Sequence, residues 1–184
     1  MLPGDWHVPI AKLCLKCHGH FISSSYISAE MRELHNSASE TGLCLVNEVG
    51  LDPGIDHLMA HTLIEDYRNS KDQDDENDIS FISYCGGIPK VKNPFCYKFS
   101  WSPLGVLKAL KSPSRSIKDY KEFDARRPWN AISTYTAPLP VPEEFEVYPN
   151  RDSLPFIDQY EFNKNWKIKE FVRGTLRPKG WKNA

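Results

Sequence analysis

Apolar residues recur at helical spacing near the start of the chain: Ile10, Leu13, Cys14 and Cys17 stand at i, i+3, i+4 and i+7. This stripe predicts a helix over 8–18, with Pro9 in its first turn and Gly19 as its stop. HFIS (20–23) reads as a short strand. A second helix is predicted over 29–41, AEMRELHNSASET, with Ser28 as N-cap and Gly42 beyond its end. LCLVNEV (43–49) reads as a buried strand. Helix–strand–helix–strand alternation is what a parallel α/β sheet produces.

The pattern then changes. After GLDPGID (50–56), Leu58, Met59, Leu63 and Ile64 predict a third helix over 56–68. The acidic run KDQDDEND (71–78) reads as a solvated loop, and DISFISYC (78–85) as a strand. Residues 86–101 are rich in glycine, proline and aromatic side chains and read as a binding loop. PLGVLKALK (103–111) reads as a short helix, and FEVY (145–148) and IKEFVRGTLR (168–177) as strands. Prolines and charges mix over 112–143, where the pattern places no element. The expected fold class is α/β: an incomplete parallel-sheet domain over 1–55, followed by an α+β domain with a mixed sheet over 56–184.

Composition narrows the function classes. Of 184 residues 40% are hydrophobic and 26% charged, the profile of a globular chain. A net charge of −1 gives no reason to expect nucleic acid or an anionic membrane as partner. No apolar run approaches the ~20 residues of a membrane span. MLPGDWHVPI has neither the basic start nor the apolar core of a secretion signal. The five cysteines, Cys14, Cys17, Cys44, Cys85 and Cys96, are an odd number, so reduced thiols in the cytoplasm are expected.

Several motifs carry candidate chemistry. CLKCHGH (14–20) has the C-x-x-C-H spacing of haem attachment, but both cysteines fall on the predicted apolar helix face and read as core. Zinc ligands come from separated segments rather than seven consecutive residues, so no metal site is expected there. HLMAH (57–61) places His57 and His61 one helical turn apart, yet Leu58 stands where a metalloprotease needs its glutamate. SSSYIS (23–28) and GLDPGID each follow a predicted parallel strand, where open α/β sheets bind ligands. In the second loop Asp56 reads as a helix cap and Asp52 as the free carboxylate. Arg151, Arg173 and Arg177 lie near strand ends, and guanidinium suits bidentate carboxylate recognition.

NEVGLDPGIDHLMA, SYCGGIP, NPFCYKFSWSPLGVL, YPNRDS and VRGTLR together resemble saccharopine dehydrogenase, the L-glutamate-forming family of lysine metabolism. SSSYIS and ETGLCLVNE match it in order, so the resemblance runs along nearly the whole chain. It departs locally: the acidic 71–78 stretch looks like an insertion, and IPKVKNP replaces a more acidic linker. The resemblance implies a Rossmann-type dinucleotide domain, represented by 1–55, and a saccharopine-binding α+β domain, represented by 56–184.

It further implies that Ser24, Ser25, Leu51, Asp52, Pro53 and Ser102 (or its neighbour Trp101) bind NADP or NAD. Ser25, Tyr26, Asp52, Cys85, Arg151, Gly174, Thr175, Leu176 and Arg177 would bind saccharopine. Asp52 and Tyr26 are the implied acid–base residues, and a homodimer is the candidate assembly. The implied reaction oxidises saccharopine at the carbon beside its secondary amine; the imine then takes up water and splits into glutamate and 2-aminoadipate 6-semialdehyde. The sequence has no glycine-rich G-x-G-x-x turn, so the chain is expected to be the central piece of such an enzyme. Two alternatives stand beside this one. The chain could be a non-catalytic product that keeps the substrate-domain fold, or a dehydrogenase of carboxylated polyamines. Three candidate arginines suit a tri-carboxylate better than a polyamine.

Overall fold

A computed structural model describes residues 2–99 and 102–184. The chain forms two compact units, one up to Leu63 and the other from Ile64 to Ala184.

The first unit holds α1 (His7–Lys16), β1 (Phe21–Ile22), α2 (Ala29–Arg32), α3 (His35–Glu40), β2 (Leu45–Val46) and the start of α4 (Ile55–Arg68). The expected division at residue 55 falls at the first residue of α4, and the division between the units falls within that helix. β1 and β2 pair in parallel, Phe21 opposite Leu45 and Ile22 opposite Val46. Ala11, Phe21, Met31 and Leu34 form the core, with Val8, Ile10, Cys14, Leu15 and Leu45 packed against it.

The inward face of α1 is therefore centred on Ala11, and the predicted stripe is out of phase: Leu13 and Cys17 are exposed. A small alanine lets the helix backbone come close, which hydrophobicity alone does not reveal. The helix also stops earlier than expected. His18 takes the left-handed conformation at φ 54°. Its N–H donates to Leu15 O at 3.3 Å and that of Gly19 to Cys14 O at 2.8 Å, a Schellman closure.

The predicted 29–41 helix is two helices. Ser28 Oγ caps the first by accepting from Met31 N–H at 3.2 Å. The break at Glu33–Leu34 lets Met31, Leu34 and Ala38 all turn inward. Gly42 (φ 67°) ends the second, as expected. β2 is only two residues long, and Val46 is exposed, so this pair is not the buried strand that was predicted.

The second unit is a mixed six-stranded sheet built from β3 (Asp78–Cys85), β4 (Ser114–Lys118), β5 (Lys121–Ala125), β6 (Ser133–Ala137), β7 (Glu143–Pro149) and β8 (Lys167–Pro178). The order is β5-β4-β8-β7-β6, and β3 pairs with β8 in parallel. The other pairings are antiparallel. Two short helices complete the unit, α5 (Pro103–Ala109) and α6 (Pro155–Gln159).

The stretch over 112–143 thus contains β4, β5 and β6. The β4–β5 hairpin turns on Asp119 and Tyr120, both at positive φ (49° and 65°), the geometry of a type I′ turn. Asp-Tyr lacks the glycine that usually signals such a turn.

Strand β8 organises the unit. Phe171 is fully buried and stacks on Phe81 with centroids 5.0 Å apart. Phe162 meets both rings edge-on. Phe81, Ser83 and Cys85 of β3 share a face with Phe171, Arg173, Thr175 and Arg177, because a parallel register keeps opposite residues on one side. Along that face β8 changes from aromatic core to two buried arginines.

Candidate functional site

In the first unit the loops after β1 and β2 are bound together by their own backbones. Val49 N–H donates to Ser23 O, and Glu48 N–H to Ser25 O, each at 3.1 Å. Ile27 N–H donates to Glu48 Oε1 at 3.1 Å. The buried Ser23 hydroxyl fixes the serine loop: it accepts from Ser25 N–H at 3.0 Å and donates to His7 Nδ1 at 3.0 Å. His7 Nε2–H in turn donates to Leu2 O at 3.0 Å, which sets its tautomer.

These constraints bring two of the expected residues together: Tyr26 Oη donates to Asp52 Oδ1 at 2.7 Å. Asp52 is therefore not the free carboxylate expected from sequence. A neutral phenol donating to a carboxylate at this length is a strong, charge-assisted bond. Two further residues stand beside the pair: His57, weighed in the sequence only as half of a metal-binding spacing, and Glu48, not singled out from the sequence. The His57 ring lies edge-on to Tyr26, centroids 6.4 Å apart. Its Nε2 is 3.7 Å from Glu48 Oε2 and its Nδ1 3.8 Å from Asp56 Oδ2. Glu48 stands two residues beyond β2 with φ 60°, so its place just after a parallel strand was the available signal.

The GLDPG loop is tightly closed. Asp56 Oδ1 accepts from Gly54 N–H at 2.7 Å, consistent with its expected capping role. A Cβ on Gly54 (φ 146°) would lie 2.3 Å from Gly50 O, so only glycine fits. A Cβ on Gly50 would come within 3.1 Å of Ser24 Cβ. The Asp52–Pro53 peptide is cis. Leu51 beside it projects its side chain into solvent, 64% exposed.

In the second unit the register places Cys85 opposite Thr175, and Thr175 opposite Tyr148. Cys85 is a half-buried thiol. Arg177 is 7% exposed and enclosed by aromatic rings: Tyr97 at 4.8 Å, Trp181 at 5.4 Å and Tyr148 at 5.7 Å from its guanidinium carbon. Arg173, equally buried, lies 3.9 Å over Phe156. Burial pushes the Tyr148 hydroxyl above its usual pKa, partly offset by the charge and hydrogen bond of Arg177 and by Thr175.

Gly174 and Gly86 have packing reasons of their own. A Cβ on Gly174 would meet Tyr148 O at 2.6 Å and the Tyr84 ring at 2.7 Å, and one on Gly86 would meet Leu176 O at 2.0 Å.

The remaining expected residues lie elsewhere. Arg151, exposed at φ 56°, sits in a turn held by backbone: Arg115 N–H donates to its carbonyl, and Asn150 N–H to Arg173 O, each at 2.9 Å. Fully buried Ser153, two residues on, accepts from Arg173 N–H at 3.1 Å and anchors the same turn. Ser102 Oγ caps α5 by accepting from Gly105 N–H at 3.1 Å. Trp101 lies outside the described residues.

In CLKCHGH, Cys14 packs on the core, whereas Cys17, expected in the core, is exposed. His20 Nδ1 accepts from Cys44 N–H at 3.0 Å. Among the described residues no group of three His, Cys, Asp or Glu is placed to hold a metal ion. The expected binding loop lines an open hollow of about 400 Å³ with Gly87, Ile88, Pro89, Lys90, Lys98 and Phe99. None of the residues expected at the site belongs to that lining.

Parallel strands whose outgoing loops carry paired Tyr and Asp in one unit, and a mixed sheet ending in buried arginines in the other, define a two-unit α/β protein. Residues 50–184 match the saccharopine dehydrogenase C-terminal domain, and the chain belongs to that family. It is 37% identical, over 98% of its length, to the saccharopine dehydrogenase [NADP(+), L-glutamate-forming] of Pyricularia oryzae, of which it spans 39%. It is 35% identical, over 98% of its length, to the alpha-aminoadipic semialdehyde synthase of Arabidopsis thaliana, of which it spans 17%. Its structure matches an apo saccharopine dehydrogenase (L-Glu forming) of Saccharomyces cerevisiae with TM-score 0.81 and 36% identity, covering 99% of this chain and 40% of that one. The chain therefore spans two fifths or less of these relatives.

Proposed function

We propose that this chain carries the substrate-handling part of an NADP-dependent saccharopine dehydrogenase, which interconverts saccharopine with glutamate and 2-aminoadipate 6-semialdehyde in lysine metabolism. The observation that carries the reading is the 2.7 Å Tyr26–Asp52 pair, which joins the loops that follow two parallel strands. The Asp52 carboxylate favours the protonated form of the substrate's secondary amine. Tyr26, bonded to Asp52, is the group able to give or take a proton at that nitrogen. For the carboxylates the reading assigns Arg151 and the Gly174–Arg177 strand end, and Ser25, Cys85 and Thr175 to further substrate contacts.

The loops of the first unit fit one end of a dinucleotide. They are closely packed, present Ser24, Ser25 and Pro53, and leave Leu51 as an apolar surface that a flat ring would cover. Ser102 keeps a hydroxyl proton to donate beyond its capping bond. When bound, the dinucleotide supplies the hydride acceptor. The reading places the reaction in the cytoplasm, in keeping with five cysteines that form no disulfide among the described residues. No helix among the described residues is long and apolar enough to cross a membrane.

Calorimetric titration of the 184-residue chain with saccharopine tests the reading. Saturable heat that lysine does not produce is the expected result. A folded chain, judged by circular dichroism, that takes up no saccharopine would overturn it.

A further inference from the structure

Arg177 is a buried cation without a compensating anion. Among the described residues no carboxylate forms an ion pair with it; its guanidinium donates to the Tyr148 hydroxyl and, through Nη1 at 3.5 Å, to Leu176 O, and its Nε has no hydrogen-bond partner. The carboxylate directly across the sheet is Glu146. Both of its oxygens are committed elsewhere: Oε1 accepts from Gly180 N–H at 3.2 Å and Oε2 from Lys182 N–H at 2.7 Å. A guanidinium 7% exposed is expensive to bury unless something favourable surrounds it. Here three π faces do so. Tyr148 and Trp181 stack on each other (centroids 5.4 Å, 22° between planes), and Tyr97 lies closest to the cation.

We propose that Tyr97, Tyr148 and Trp181 form an aromatic sleeve that holds Arg177 charged, aligned and without an anionic partner, so that its guanidinium receives a carboxylate of the substrate; Tyr97 is the positioning residue that closes the sleeve. This rests on the reading that Arg177 faces a substrate carboxylate. Ring quadrupoles stabilise a cation without satisfying its N–H groups, whereas a protein carboxylate would occupy the edge itself. The sleeve is fixed from several sides. Tyr148 belongs to β7, Trp181 follows β8, and Asn93 brackets Tyr97, its Nδ2 donating to Tyr97 O at 3.1 Å and its Oδ1 accepting from Tyr97 N–H at 3.4 Å.

The test uses the whole chain and glutarate as probe, with its diamide as uncharged control. The Arg177 Nε–H signal, identified by its loss in Arg177→Lys, is followed by NMR. In the wild type glutarate is expected to shift that signal and the diamide to leave it in place. Tyr97→Leu is expected to weaken glutarate binding about 3- to 10-fold and to broaden the signal, and Tyr97→Phe to restore both. No glutarate response at Arg177, an unchanged response in Tyr97→Leu, or failure of Tyr97→Phe to restore it would overturn the sleeve. Saccharopine binding without a glutarate response at Arg177 would remove the sleeve and leave the proposed function. A glutarate response without saccharopine binding would do the reverse.

Discussion

Tyr26 and Asp52 are 26 positions apart in sequence and share one short hydrogen bond. Asn at position 52 keeps the shape of the side chain and can still accept from the phenol, but it carries no charge to favour a protonated amine. Asp52→Asn is therefore expected to lower the melting temperature only slightly, through the weaker neutral hydrogen bond, and to weaken saccharopine binding about tenfold, ~1.4 kcal/mol. Equal affinity in calorimetry would reduce Asp52 to a turn residue.

A second residue-scale prediction concerns Tyr84. Burial, then the nearby charge of Glu170 and the Tyr135 hydroxyl, push its pKa up to about 12. The folded chain thus holds this proton more tightly than the unfolded chain, whose tyrosines titrate near 10. The contribution to stability is complete below about pH 10 and is lost as the pH rises towards about 12. Absorbance titration at alkaline pH should show a late phenolate step that is missing in Tyr84→Phe. The two loops stood out in the sequence because Ser-rich and Gly-Pro stretches follow predicted strands there, whereas Tyr26 was named only through the family resemblance. His7, Glu48 and Tyr97 did not stand out, since each acts through a partner far away in sequence.

At the scale of elements, the backbone rather than the side chains decides what fits. β3 and β8 approach so closely that a methyl group at position 86 would overlap Leu176 O. Gly86→Ala is expected to cost about 1–3 kcal/mol or more of stability in denaturant titration. A neutral effect would mean that the strands can separate freely. His18 occupies a left-handed position that glycine adopts without strain, so His18→Gly is expected to raise stability by up to about 1 kcal/mol. The same residue explains a misplaced helix end: the helix stop was assigned to Gly19 because glycine is the usual occupant of that conformation. β4 and β5 went unseen for a related reason. SRSIK and KEFDA contain one and two apolar side chains and turn on Asp-Tyr, so neither period nor punctuation marks them, whereas the apolar-rich β3 and β8 were read to within a residue.

For the whole molecule, the proposed function assigns the first unit's loops to the reactive end of a dinucleotide, yet the sequence holds no glycine-rich turn to cradle a pyrophosphate. Titrating NADPH fluorescence against the chain is expected to show no saturation in the micromolar range; tight binding would require a phosphate cradle of another kind.

The central position of β8 also bears on how the molecule is made. β3 finds its partner about ninety residues further along, Asp78 beside Lys167. At ribosomal speeds of ~5–20 residues per second, β3 is in solution for roughly 5–20 s before the strand that shelters it exists. During that time Ile79, Phe81 and Ile82 form a naked, sticky ribbon, open to any other nascent chain. The acidic run KDQDDEND leads directly into that ribbon. Like charges disfavour the pairing of two copies, so these five carboxylates oppose self-association of the adjoining strand most strongly while it is exposed, a consequence that the finished fold, where Glu76 pairs with Lys167, does not display.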